Sequence, residues 1–227
     1  MANIILISGT WHGGWVWDSI ATNLRAQGHT VFAPSLSGLE PNVEANYPIN
    51  LDTHINDVLA IIDANGLQDL VLVGHSYGGM VITGVSDRTT ARVKHLLYLD
   101  AVCPRPGESE WNYVMDHDKP VWLASCKDGL NIPVPEPFAS EPRTRPHPLA
   151  TKLQPLHYNQ AKFDSLKKTY VHAEKWFHVA GMEHAFKPVF DRVKSEPNWS
   201  ALSWPFGHLL TEEAPDQVEA LIVAVSA

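Results

Sequence analysis

The sequence predicts an α/β fold in which helices flank a mostly parallel sheet. Short runs rich in β-branched residues alternate with stretches of helical periodicity from the first residue onward, which is typical of βαβ units. The length of 227 residues fits one domain with its own core. A proline-rich segment interrupts the alternation in the middle of the chain. We therefore expect a single domain, 1–227, with one insertion.

The first half of the chain supplies four strands and three helices. A helix over 17–27 ends at Gly28, and a second helix that begins near Leu51 ends at Gly66. Glycine after the last turn is a helix-stop signal. A third helix follows Ser76 and carries apolar residues toward the next strand. The predicted strands are 3–8, 30–34, 69–73 and 93–100.

The interruption runs from residue 103 to about residue 155 and contains ten of the seventeen prolines. Proline lacks the amide donor and fixes φ, so this segment forms neither a continuous helix nor a central strand. Aromatic residues such as Trp111, Trp122 and Phe138 argue against a disordered linker. We expect a small cap, 104–165, over the carboxyl edge of the sheet, inserted after the strand that ends at Asp100.

The alternation resumes after the insertion. The sequence predicts a strand near 168–173, a helix near 187–194 and a strand near 199–204. A final helix begins at Pro215, a residue that suits a first helical turn. Its apolar positions, Val218, Leu221, Ile222 and Val225, lie on one face.

The composition excludes several classes of partner. A formal net charge of -8 argues against nucleic acid and anionic membranes, which attract basic patches. The amino terminus lacks a basic region, and no apolar run has membrane-spanning length. Cys103 and Cys126 form neither a disulfide framework nor a metal-ligand pattern. We expect a cytoplasmic protein that acts on a small-molecule substrate without cofactor or metal; a homodimer is compatible with the composition.

The motif Gly-His-Ser-Tyr-Gly-Gly at 74–79 follows a predicted buried strand and opens a predicted helix. This is the nucleophile-elbow pattern in its strand–turn–helix context. The elbow holds its serine in a strained turn, so the neighbouring residues must be small. Ser76 is therefore the candidate nucleophile.

A serine nucleophile needs a general base, and the base needs an orienting acid. In this arrangement the chain order is Ser, acid, His. His208 lies between the last predicted strand and the last helix, which is the position expected for the base. Two loops can supply the acid. We favour Asp100 at the end of its strand, with Glu183 as the alternative and Glu174 third.

Two backbone N–H groups are expected to form an oxyanion hole, one after the nucleophile and one after the first strand. Tyr77 supplies the first and Thr10 the second. Trp11, Trp111 and Trp122 are candidates for contact with the substrate. A further group, His172, His178, Glu183 and His184, matches no metal-ligand spacing, and we expect it to lie in a solvated loop.

With these residues identified, the chain resembles the α/β-hydrolase superfamily over nearly its whole length. It is most similar to the compact branch with plant methyl-salicylate-type esterases, hydroxynitrile lyases and bacterial esterase-like proteins. The stretches 9–15 and 74–80 carry the resemblance. The resemblance implies a six-stranded parallel sheet, with Ser76 as nucleophile, His208 as base, and Thr10 and Tyr77 as oxyanion donors.

The chain departs from this pattern at informative positions. Ser8 replaces the usual histidine after the first strand, and we expect looser hydrogen bonding in that loop. Plant members carry their acid after the penultimate strand, whereas the strand end at Asp100 is similar to that of some haloalkane dehalogenases and bacterial relatives. Leu209 stands where hydroxynitrile lyases place a lysine, which argues against cyanohydrin cleavage. Ser76 argues against dehalogenases and epoxide hydrolases, which need an aspartate nucleophile.

These residues predict a serine hydrolase that cleaves an ester, lactone or thioester of a small to medium apolar compound through an acyl-enzyme. One alternative is a C–C bond hydrolase or lyase that uses the same triad. Another is a ligand receptor that retains the triad but acts through closure of its cap.

Overall fold

The structure is a computed structural model that describes residues 1–41, 48–175 and 186–227. Across these ranges, six parallel strands form one sheet in the order β2-β1-β3-β4-β7-β8, and two short strands form an antiparallel ribbon. The predicted six-stranded α/β architecture is therefore confirmed. The strands are β1 (Asn3–Ile7), β2 (Thr30–Phe32), β3 (Leu70–His75), β4 (Val93–Leu99), β5 (Asn131–Ile132), β6 (His147–Pro148), β7 (Lys167–Ala173) and β8 (Trp199–Trp204).

Most of the helices lie between these strands, and the last two follow the last strand. The helices are α1 (Asp18–Ala26), α2 (Leu51–Ala64), α3 (Gly78–Arg88), α4 (Lys119–Ser125), α5 (Leu149–Leu153), α6 (Gln160–Ser165), α7 (Lys187–Val193), α8 (Leu210–Glu213) and α9 (Pro215–Ser226). Asn50 caps α2, since its side chain accepts from the Thr53 N–H while the Thr53 hydroxyl reaches back to the Asn50 N–H. The short helices α4, α5, α6 and α8 were not predicted.

The core occupies both faces of the sheet because side chains alternate along each strand. In β1, Ile5 and Ile7 belong to one apolar cluster, and Ile4 and Leu6 belong to the other. Helices α2, α3 and α7 pack on the first face, and α1 and α9 on the second. Burial on both faces explains why the central strands are continuously apolar.

The segment between β4 and β7 contains α4, the ribbon of β5 and β6, α5 and α6. We call residues 104–165 the insert, and its boundaries as a cap remain a prediction. The insert contacts the loop after β1: the Trp11 indole N–H donates to the Ile132 carbonyl at 3.2 Å, and the Arg145 N–H donates to the Trp11 carbonyl at 3.0 Å. The insert is thus attached at the carboxyl edge of the sheet.

No helix within the described ranges has both the length and the apolar character needed to cross a membrane. Cys103 and Cys126 are both free thiols, the first of them buried.

Candidate active site

The turn after β3 forces Ser76 into the left-handed region, with φ of 54°. Three glycines make this turn sterically possible. A Cβ on Gly74 would lie 2.7 Å from Gly78, a Cβ on Gly78 would lie 2.6 Å from the Ile7 carbonyl oxygen, and a Cβ on Gly79 would lie 1.9 Å from the Val102 carbonyl oxygen. Backbone atoms occupy all three positions, so a larger residue requires the turn to move.

Asp100 follows the neighbouring strand β4 and also has a positive φ, 41°. Its N–H donates to the Val171 carbonyl at 2.7 Å, and one carboxylate oxygen accepts the Ala173 N–H at 3.1 Å. The other oxygen lies 2.7 Å from His208 Nδ1. Asp100 is completely buried. The structure therefore brings together the acid and base candidates that the sequence separates by more than one hundred residues.

Burial alone raises the pKa of Asp100, because it penalises the charged form. The imidazoles of His172 and His208 and the Ala173 N–H outweigh this effect and lower the pKa to about 2. His172 Nδ1 lies 3.4 Å from the carboxylate but makes no hydrogen bond of good geometry within the described part of the chain. We therefore assign the stabilisation mainly to His208 and Ala173, and Asp100 is an anion at neutral pH.

Of the remaining acid candidates, the structure describes only Glu174. Glu174 is exposed and accepts a hydrogen bond from the Ser203 hydroxyl at 2.8 Å. Glu183 lies outside the described residues, as do His178 and His184. For His172 the expected solvated loop was wrong. It is the sixth residue of β7, only 5% exposed, and its ring stacks on Phe190 at 4.8 Å between centroids.

His75 links the elbow to the histidine loop. Its Nε2–H donates to the His208 carbonyl at 2.8 Å, and the two rings lie 4.6 Å apart between centroids. Burial, reinforced by the neighbouring His208, lowers the pKa of His75 to about 3, so it is neutral. No hydrogen bond joins Ser76 Oγ to His208 within the described residues, and such contacts commonly tighten only when substrate binds. Because His208 Nδ1 faces Asp100, its Nε2 is the nitrogen that can accept the serine proton.

The Thr10 and Tyr77 N–H groups both flank the elbow. Neither donates to an acceptor within the described ranges. Tyr77 immediately precedes α3, where the helix dipole favours negative charge. Gly9 lies against the serine, since a Cβ there would be 2.8 Å from Ser76 Cβ. The expectation that Ser8 loosens this loop was wrong, because its hydroxyl donates to the Gly13 carbonyl at 2.7 Å and closes the loop.

The three tryptophan candidates lie in one aromatic cluster. The Trp11 and Trp122 rings are 5.9 Å apart, the Trp111 and Trp122 rings are 6.4 Å apart, and Phe138 stacks on Trp11 at 5.8 Å. Trp11 has a φ of 66°, which directs its N–H toward His147 Nδ1. The cluster joins the loop after β1 to the insert.

Sequence reasoning missed two buried histidines, His54 and His147, which both contact Tyr77. His54 Nε2–H donates to the Ser37 carbonyl at 2.9 Å, so its Nδ1 accepts from the Tyr77 hydroxyl at 2.8 Å. Burial lowers the pKa of His54 to about 4. His147 packs against the Tyr77 ring at 4.8 Å and hydrogen-bonds Thr151 at 2.9 Å. Nothing in the local sequence of either histidine distinguishes it from an exposed one.

Sequence reasoning also missed a buried ion pair in the insert. Lys152 Nζ lies 2.7 Å from a Glu110 oxygen and 2.8 Å from Thr10 Oγ1. Burial lowers the pKa of Lys152, while Glu110 acts in the opposite direction. Within the described residues, no group of three or more His, Cys, Asp or Glu side chains is placed to hold a metal ion.

Comparison with known proteins places this geometry in context. Residues 4–221 match the model of the alpha/beta hydrolase family. The chain belongs to this family. It is similar to a carbendazim hydrolyzing esterase of Nocardioides sp. strain SG-4G, at 32% identity over 99% of this chain and 100% of that protein. The resemblance to the esterase branch of the α/β hydrolases is thereby confirmed.

Other members of the family match over shorter regions or at lower identity. A pyrethroid hydrolase of Sphingobium wenxiniae is 31% identical over 51% of this chain and 41% of its own length. An extracellular α/β-hydrolase from a Paenibacillus species superimposes with a TM-score of 0.82 over 100% of this chain and 99% of its own, at 24% identity. The structural likeness confirms the α/β-hydrolase fold.

Proposed function

We propose that this α/β hydrolase cleaves carboxylic esters of small to medium apolar compounds, through a serine acyl-enzyme. The observation that carries the proposal is the 2.7 Å contact between the Asp100 carboxylate and His208 Nδ1, at the same sheet edge as the strained Ser76. The esterases and hydrolases among its relatives support ester cleavage over C–C cleavage or ligand reception. Lactones and thioesters have the same reacting carbonyl and belong to the proposed substrate class.

In the proposed mechanism, His208 Nε2 takes the proton of the Ser76 hydroxyl as Oγ attacks the carbonyl carbon. Asp100 orients the imidazole and stabilises the imidazolium that forms. The N–H groups of Thr10 and Tyr77 bind the oxyanion of the tetrahedral intermediate. The imidazolium returns its proton to the departing alkoxide. A water molecule, deprotonated by the same histidine, then hydrolyses the acyl-enzyme and regenerates Ser76.

The aromatic cluster supports an apolar substrate. Trp11, Trp111, Trp122 and Phe138 offer ring faces next to the oxyanion loop, and aromatic side chains contribute large apolar contact areas. Cytoplasmic location is part of the proposal and is supported by the two free cysteines.

The proposal is tested with a panel of p-nitrophenyl esters, methyl esters and lactones, using Ser76→Ala as the matched control. We expect the wild type to hydrolyse at least one ester class and Ser76→Ala to lose activity by a factor on the order of 10⁴ to 10⁶. Mass spectrometry of the wild type mixed with a slow ester should detect an acyl group on Ser76. Hydrolysis by Ser76→Ala at the wild-type rate would refute the proposal.

A further inference from the structure

Lys152 is a completely buried lysine at the fourth position of the five-residue helix α5. Its ammonium contacts Glu110 Oε1 at 2.7 Å and Thr10 Oγ1 at 2.8 Å. The other Glu110 oxygen, Oε2, is buried and has no hydrogen-bond partner among the residues that the structure describes. Burying an ion pair carries a desolvation cost that its attraction often fails to offset, so such a pair is a poor source of stability. A contribution to folding stability therefore does not explain why Lys152 and Glu110 are buried as a pair.

A second buried lysine in the same chain shows what a structural role looks like. Lys168, 2% exposed, donates to the carbonyls of Phe163 and Leu166, both at 2.8 Å, around the end of α6. These partners are backbone acceptors that a helix end leaves unsatisfied. Lys152 instead contacts side chains, and one of them belongs to the loop that supplies an oxyanion donor. Lys168 therefore serves as a control for Lys152, because both are buried lysines but only Lys152 contacts the loop after β1.

The position of Lys152 relates it to both donors of the proposed oxyanion hole. It holds the side chain of Thr10, while His12 Nδ1 lies 2.7 Å from the Thr10 carbonyl oxygen. Together these contacts orient Thr10, whose backbone N–H is one of the two proposed oxyanion donors. The ammonium also lies 5.4 Å from the centre of the Tyr77 ring.

We propose that Lys152, held by Glu110, is a positioning residue of the oxyanion hole: it fixes Thr10, so that the Thr10 N–H is aimed at the oxyanion of the tetrahedral intermediate. This inference rests on the proposed function of the site. It assigns the insert a part in the chemical step, in addition to any part in substrate selection. Lys152 acts through Thr10 and does not touch the reacting atoms.

The test compares four variants with the wild type. Glu110→Gln/Lys152→Met removes both charges together, so no lone charge is left buried. Thr10→Val removes the hydroxyl but keeps the backbone N–H. The triple variant combines them, and Lys168→Met controls for loss of a buried lysine. The measurements are kcat and KM for a p-nitrophenyl ester and the second-order rate of Ser76 phosphonylation by a fluorophosphonate. The phosphonylation rate requires no correct choice of ester.

We expect the double variant and Thr10→Val each to lower kcat and the phosphonylation rate about 10- to 100-fold, with KM within about threefold. The triple variant should lose little more, because the two changes interrupt one contact. Lys168→Met should lower the melting temperature but leave kcat within about twofold.

Unchanged kcat and phosphonylation in the double variant would overturn the inference, as would effects that multiply in the triple variant. If the double variant does not fold, Thr10→Val with wild-type kcat and phosphonylation has the same meaning. Failure of the proposed function is a separate result: the wild type would then hydrolyse no ester, while phosphonylation still reports on the oxyanion hole.

Discussion

The carboxyl edge of the sheet and the insert hold their functional side chains in different ways. At the sheet edge, Ser76 and Asp100 follow adjacent strands and both have positive φ, so the backbone itself sets their positions. In the insert, position depends on a few polar contacts, such as Lys152 with Glu110 and His147 with the Trp11 N–H. In the proposed mechanism the sheet edge therefore supplies the reacting groups, and the insert positions the loop beside them.

The sheet edge and the insert also differ in how deeply their side chains are buried. Residues 70–82, which include the elbow, are all buried, whereas Val121 and Leu130 in the insert are 64% and 65% exposed. Helix α4 buries none of its residues. A region with little burial tolerates substitution better, because fewer contacts depend on each side chain. Changes of equal size should therefore have unequal effects in the two regions.

The largest difference is expected for Gly→Ala substitutions. Gly79→Ala places a Cβ 1.9 Å from the Val102 carbonyl oxygen, which must displace the elbow from the β4 end. We expect a loss of about 3 kcal/mol or more in the free energy of unfolding. Among the described residues, Gly129→Ala in the insert meets nothing within 4 Å, but its φ of 70° opposes alanine, so a loss of about 1 kcal/mol is expected. Urea unfolding of both variants measures this contrast, and equal losses would contradict it.

Acid sensitivity should come from the histidines buried where the two regions meet. The pKa of His54 is lowered by burial to about 4 from 6.5, so the unfolded chain binds the proton more tightly. Above pH 6.5 His54 is neutral in both the folded and the unfolded chain, so it causes no loss of folding stability. As pH falls from 6.5 toward 4, protonation of His54 in the unfolded chain lowers the free energy of unfolding. Between pH 7 and pH 4.5 we expect a loss of about 2 to 3 kcal/mol from His54 alone.

Urea unfolding of wild type and His54→Gln at both pH values isolates this contribution. The variant should be less stable at pH 7 but lose less stability on acidification. An identical loss in the two proteins would show that His54 is not the source.

The smallest effect is expected for the aromatic cluster. Trp111→Ala removes apolar contact area in the insert without altering the sheet edge. We expect kcat/KM for a bulky aryl ester to fall about tenfold because KM rises, whereas kcat/KM for an acetate ester should change little. Steady-state kinetics on the two esters provides the measurement. A large, equal drop in kcat for both would mean that the insert tryptophans act in the chemical step.

The sequence predicted the sheet edge well because its signals are local. The elbow motif needs glycines at fixed spacing, and each strand reveals itself by its apolar run. His208 was predicted as the base from its place between strand and helix, and the structure places its Nδ1 beside Asp100. The contacts of the insert were not predicted, because Lys152 meets Glu110 and Thr10 across long stretches of chain. Proline content indicated where regular structure stops, but it does not specify which side chains meet.

The proposed mechanism depends on Asp100 as the acid that orients His208. The decisive measurement is kcat of Asp100→Asn and of Glu183→Gln on an ester that the wild type hydrolyses. Asn keeps the shape of Asp100 but cannot stabilise the imidazolium, so we expect a loss on the order of 10³- to 10⁴-fold. Glu183→Gln should stay within about threefold of the wild type. A large loss in Glu183→Gln with near-normal turnover in Asp100→Asn would contradict the account.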